Sequence, residues 1–171
     1  WLLILTGLAC GQDLLIENVR ILDARGDMGQ HSVLIQGQEI TAIDSENPPP
    51  DVERLDASGQ TLLPGLFDAH VHITMSPGEV YREDTPQQRS DRVSHHMRSF
   101  LALGVTSLID PGISTKDVDL VRTLQEKGPS PNVFVVGPLL GPAGGYPSRV
   151  VKGLSGISTM EEVREHMDAF E

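Results

Sequence analysis

In the stretch Leu63-Pro-Gly-Leu-Phe-Asp-Ala-His-Val-His72, two imidazoles stand two residues apart, with a carboxylate two residues before the first. Successive side chains of a strand face opposite ways, so Asp68, His70 and His72 are expected on one face, with Phe67, Ala69 and Val71 on the other. Neutral imidazoles suit borderline divalent ions, and two at this spacing can converge on one ion. Asp68, one step deeper, can orient an imidazole through its other ring nitrogen. A bare His-x-His also has a plain reading, two hydrogen-bonded or solvated histidines. Position favours ligation, because the pair ends the first strand of an alternating strand and helix series, where sites in parallel α/β folds are built.

Other residues carry open alternatives. Asp110 ends the next strand and either bonds a substrate or ligand, or serves as a turn carboxylate before Pro111-Gly112. Tyr146 closes a Gly/Pro-rich loop and either lines a pocket or packs as a loop aromatic. That loop is not a phosphate cradle, since no Lys-Ser/Thr follows its glycines. His95 and His96 are adjacent on a predicted helix, about 100° apart, and are expected at the surface or half-buried. His31 and His166 show no partner pattern. Asp117, Asp119, Glu161, Glu162 and Glu165 read as solvated helix faces, the early ones favoured by the helix dipole.

The elements that must position these residues fall in two regions. Residues 13–62 hold β-prone runs, Leu14–Ile16, Val19–Leu22, Val33–Ile35 and Ile40–Ile43, separated by Gly- or Asn-containing turns and followed by the helix-breaking Asn47-Pro-Pro-Pro-Asp51. Residues 63–171 alternate: a strand over Leu66–Ile73, a helix near Ser90–Leu103, a strand over Val105–Asp110, a helix over Thr115–Lys127 stopped by Gly128-Pro129, and a strand over Asn132–Val136. A last helix opens at Ser158, with Thr159 and Glu162 spaced as a capping box and Met160, Val163, Met167 and Phe170 on one face. The fold class is α/β with a parallel sheet wound by right-handed crossovers. A closed (β/α)8 barrel takes about 250 residues, so three βα units would be the first part of one.

Composition narrows the partners. With 13 Lys+Arg against 24 Asp+Glu, a net charge of -11 and no basic cluster, the chain is not built to bind nucleic acid. One cysteine excludes an internal disulfide and a Cys-rich metal site. Residues 1–12 are apolar up to Gly7-Leu-Ala9, with Cys10 next, a pattern expected of a signal-peptide remnant whose Cys10 is a lipidation site in an exported, periplasmic or envelope-anchored bacterial protein. The alternative is a buried N-terminal strand. The absence of a stop signal before Glu171 reads as a fragment.

Several ordered motifs together resemble the amidohydrolase superfamily of metal-dependent hydrolases, in the branch that looks like imidazolonepropionase and the metal-dependent prolidases. They are Asp13-Leu-Leu-Ile-Glu-Asn-Val-Arg-Ile-Leu-Asp23, Val33 to Ile43, Leu55-Asp-Ala-Ser-Gly59 leading to Pro64 to His72, Gly104 to Asp110, and Gly137-Pro138 through Tyr146-Pro147. The resemblance implies part of a composite β-sandwich (13–62) before the first part of a TIM-type barrel (63–171). It implies one or two divalent ions, commonly zinc, with His70 and His72 as first-strand ligands. The remaining ligands, a carboxylated Lys or a Glu, two later His and an Asp, match no position here. Lys116, Lys127 and Lys152, the only lysines, fall in a turn, at a helix end and in a loop. The implied chemistry is attack of an activated water on an amide, cyclic amide or peptide-like carbon of a small-molecule substrate, a homo-oligomer being possible. Two histidines alone would hold a metal loosely, so this stretch by itself is expected to be inactive.

Two rivals stand beside the enzyme: a non-catalytic relative using the scaffold for binding or structure, and an exported binding module with a lone metal. Three open βα units would also leave a parallel edge and a sheet face uncovered, which predicts aggregation of the isolated chain.

Overall fold

A computed structural model describes residues 13–75, 84–146, 148–149 and 156–168. Cys10 and the rest of 1–12, Pro147, Lys152 and Phe170 lie outside the described residues. The chain divides into two compact units, Trp1–Gly65 and Leu66–Glu171. The fold is mixed α/β.

The first unit is a sheet in the order β3-β2-β1-β4, with β5 also pairing β1: β1 Leu14–Asp23, β2 Gly26–Gln36, β3 Glu39–Ile43, β4 Glu53–Asp56 and β5 Thr61–Leu62. β1 is antiparallel to β2 and parallel to β4 and β5. The two short runs expected on either side of Asn18 are one strand with a bulge between Ile16 and Val19. Asn18 takes φ 58°, a conformation Asn tolerates, and its side-chain amide donates to Asp56 Oδ1 at 3.0 Å. The extra residue resets the alternation, so Leu14 and Ile16 share a buried cluster with Val19 and Ile21 rather than facing away from them. Leu15 joins Leu34 and Val52 on the opposite face.

The second unit is a parallel sheet, β6 Leu66–Asp68, β7 Val105–Asp110 and β8 Asn132–Val135, with helices α1 Pro86–Ala102, α2 Thr115–Lys127 and α3 Met160–Asp168. The buried cluster Ile73, Val93, Met97, Leu108, Ile113, Val121 and Val133 sits between α1, α2 and one sheet face. α1 begins earlier than expected because Thr85 caps it: Thr85 Oγ1 accepts from Gln88 N, Gln88 Oε1 accepts from Thr85 N, and Pro86 pre-sets the first turn. α3 carries the expected box, with Glu162 accepting from the backbone of Ser158 and Thr159, bonds that hold its carboxyl below the usual range.

On the other sheet face two aromatic side chains are only half covered. Phe67 and Phe134 are 56% and 54% exposed and stack at 6.0 Å, on strands flanking β7. Asp117, expected on a solvated face, is instead buried: its Oδ1 accepts from Arg89 Nη1 of α1 at 2.7 Å and its Oδ2 from the Ser114 hydroxyl at 2.8 Å. Among the described residues no helix is long and apolar enough to cross a membrane.

Candidate metal site

β6 is shorter than the strand expected over Leu66–Ile73. It ends at Asp68, and the chain then bends through residues 69–74 while Val71 N–H still donates to Ile109 O of β7 at 2.9 Å. The reason lies in two carboxylates that capture backbone donors. Asp68 Oδ1 accepts from His70 N at 3.1 Å, and Asp110 Oδ2 accepts from Ile73 N at 3.0 Å. Both N–H groups are thereby diverted from ladder pairing.

The two histidines meet in this bend, so strand alternation is not what joins them. Their ring centroids are 5.5 Å apart and the planes stand at 87°. Two imidazoles on one ion, each with a metal–nitrogen bond of about 2.1 Å, would have centroids roughly 5 to 6 Å apart at tetrahedral to trigonal angles. The pair therefore fits a shared ion. Among the described residues no group of three or more His, Cys, Asp or Glu could complete a metal shell.

Asp68 does not orient a ring; it bonds the His70 backbone. Asp110, at the end of β7, takes that place for His72. It is fully buried, and its Oδ1 accepts from Gly112 N at 3.0 Å and from His72 Nδ1 at 3.3 Å, while Oδ2 holds Ile73 N. Both oxygens are already engaged by backbone donors, so His72 Nδ1 must carry a hydrogen. In the neutral ring Nε2 is then the nitrogen with a free lone pair, and the ring remains one-third exposed at 33%. Asp110 is thus at once the turn carboxylate and the partner of a histidine.

Gly112 was not singled out from the sequence, yet it fixes how closely this turn approaches the ring. A Cβ there would lie 2.5 Å from Leu139 Cδ2 and 3.0 Å from His72 Cε1. The loop after β8 therefore reaches the same site through Leu139. Farther along, the loop is closed by a bridge between Pro142 and Ile157, and Ser148 Oγ donates to the carbonyls of Pro142 and Gly145. Tyr146 lies in the loop at 80% exposure, which removes the packed-aromatic reading.

Residues 61–169 match the sequence model of the amidohydrolase family, more than half of the chain. The chain belongs to that family. A dihydroorotase of Streptococcus pyogenes serotype M3 is 32% identical over 114 residues, 66% of this chain and 25% of that enzyme. A dihydroorotase of Syntrophotalea carbinolica is 40% identical over 72 residues, 42% of this chain and 17% of its own length. The chain thus spans about a quarter or less of the curated amidohydrolase relatives it matches. Among solved structures, a prolidase complexed with N-methylphosphonate-L-proline superposes with a TM-score of 0.68 at 22% identity, over 92% of this chain and 44% of that one. That likeness supports the mixed α/β fold.

Proposed function

We propose that this chain is the part of an amidohydrolase that supplies the first two metal ligands, His70 and His72, for hydrolysis of a carbon–nitrogen bond. The observation that carries the proposal is the convergence of the two rings, with Asp110 bonded to the Nδ1 of His72. A bound divalent ion, commonly zinc in such enzymes, would supply activation of water and polarisation of a carbonyl oxygen. The chain's own residues do the rest: Asp110 selects the His72 tautomer, Asp68 sets the His70 backbone, and Tyr146 offers an exposed phenol to a substrate. The sheet of the second unit is read as the opening of a (β/α)8 barrel and the first unit as part of a β-sandwich.

The substrate class is an amide, cyclic amide or peptide-like bond, in keeping with dihydroorotases among the relatives and a prolidase among the structures. Export with Cys10 as a lipid-bearing residue belongs to the same proposal and is tested by labelling with a radioactive fatty acid, which Cys10→Ser should abolish.

The deciding experiment is metal analysis of the complete gene product, followed by a screen of prolyl dipeptides and cyclic amides. Bound zinc that falls when His70 or His72 becomes Asn, together with turnover of an amide, supports the reading. A protein that binds no divalent ion returns the chain to the binding or structural rival.

A further inference from the structure

The segment just after His72 is held by α1, an element that contributes nothing to the site directly. His96 Nδ1 lies 2.9 Å from the Ile73 carbonyl. A carbonyl only accepts, so this nitrogen donates. The same residue's N–H is taken by Asp110 Oδ2 at 3.0 Å, and Ile73 itself is only 1% exposed. One turn N-terminal on the helix, Arg92 Nη1 donates to the Thr74 carbonyl at 3.0 Å and pairs with Asp84. Val93 and Met97, from the same helix face, pack in the buried cluster that contains Ile73.

Ile73 is therefore clamped at both backbone polar groups. The clamp closes a path from His96 through the Ile73 peptide to Asp110 and on to His72 Nδ1. Residue 73 follows His72 directly, so a displacement of its carbonyl moves both the His72 backbone and the carboxylate that orients its ring. We infer that His96 is a positioning residue for His72, acting through the Ile73 carbonyl to keep the Nε2 of His72 aimed for ligation. The inference rests on the reading of His70 and His72 as metal ligands.

The test uses the complete gene product stripped of metal and titrated with zinc against a competing chelator. The cobalt-substituted protein provides a second readout through its visible absorption. Outer partners of a ligating histidine typically change metal affinity by about 10–100-fold, and His96→Leu is expected at the lower end, roughly 10-fold weaker, with an altered cobalt spectrum. His96→Asn places a side-chain N–H close to where Nδ1 stands and should recover affinity to within about threefold of wild type, since the bond and not the ring is required. Phe100→Ala, which removes packing on the same helix but leaves both backbone hydrogen bonds of Ile73 in place, serves as the control for general loosening. It should lower thermal stability and leave affinity and spectrum unchanged. Equal zinc affinity in wild type and His96→Leu overturns the inference while leaving the ligand reading intact. So does an affinity loss in Phe100→Ala as large as that in His96→Leu, or a failure of Asn to rescue. A wild-type protein that binds neither zinc nor cobalt removes the ligand reading, and this inference falls with it.

Discussion

Replacing Asp110 tests the arrangement most directly, because one fully buried carboxylate serves three donors. In Asp110→Asn the side chain retains one acceptor oxygen. Oriented to keep Gly112 N and His72 Nδ1, it turns its amide hydrogens toward Ile73 N–H and leaves one buried donor without a partner. An unsatisfied buried donor costs about 1–3 kcal/mol, which sets the expected loss for Asn. Asp110→Ala strands both backbone donors, of Ile73 and Gly112, and roughly doubles that to about 2–6 kcal/mol, with the His72 ring released as well. Urea unfolding of the complete gene product in chelator, followed by helical circular dichroism, isolates this contribution from metal binding. With a slope of about 2 kcal/mol per molar, the Asn variant should shift its midpoint by roughly 0.5 to 1.5 M and the Ala variant by more. Zinc affinity, measured separately, should fall by about 10–100-fold in both. The reasoning is refuted if both variants unfold within about 0.5 kcal/mol of wild type, the range of ordinary surface substitutions. It is also refuted if Ala is no worse than Asn.

Gly112→Ala should disturb the ring and not only the turn, because its new methyl meets both Leu139 and His72; a weaker zinc site, partly restored by also making Leu139→Ala, is the expected outcome of the affinity titration. In the first unit, His31 places Nδ1 on Asp44 Oδ2 at 2.6 Å and Nε2 on the Met28 carbonyl at 2.8 Å, two acceptors that only an imidazolium satisfies together. Its pKa is raised, first by the hydrogen bond to Asp44, and that of Asp44 is lowered by the same bond. The His contribution is fully present below about 6.5 and fades as pH rises through the elevated value, while the Asp contribution fades as pH falls below about 3.9. Unfolding midpoints should therefore decline from pH 6 toward pH 9 in wild type and flatten in His31→Asn. The 171-residue chain alone should scatter light as an aggregate through the exposed Phe67 and Phe134, and Phe67→Ser with Phe134→Ser should reduce that scattering without loss of helical signal; a monomeric wild-type chain with a sharp melt would contradict this.

Legibility followed the range of the interaction. α2 and β7 were readable to the residue, because each is an apolar period bounded by a local stop or cap, Asp110-Pro111-Gly112 in one case and Ser114 and Gly128 in the other. The start of α1 was also local, in Thr85-Pro86-Gln87-Gln88, a capping box with proline at its first position that the apolar pattern from Val93 onward overshadowed. What no local pattern revealed was the bend after Asp68, since it depends on Asp110 taking the N–H of a residue 37 positions earlier. The same separation hid the true partner of His72 and made the nearer Asp68 the natural guess. His96 and Arg92 had a fainter signature: they border the Val93, Met97, Phe100 stripe, and polar residues flanking an apolar helix face reach back to whatever that face covers. The bulge at Asn18 looked like a turn because Asn marks both, and only the shared burial of Ile16 and Val19 distinguishes them.

That bulge also governs which changes in length this protein can inherit. The bend at Asn18 makes an odd separation between Ile16 and Val19 behave as an even one, so losing a codon there would invert every later side chain of β1, turning Val19 and Ile21 to the solvent and Arg20 to the interior. A codon gained or lost at Gly37-Gln38, between β2 and β3, leaves the parity of β1 untouched. Insertions and deletions among descendants of this sequence should therefore gather at the hairpin tips and avoid residues 17 and 18, and an alignment that opens a gap there has misplaced the strand.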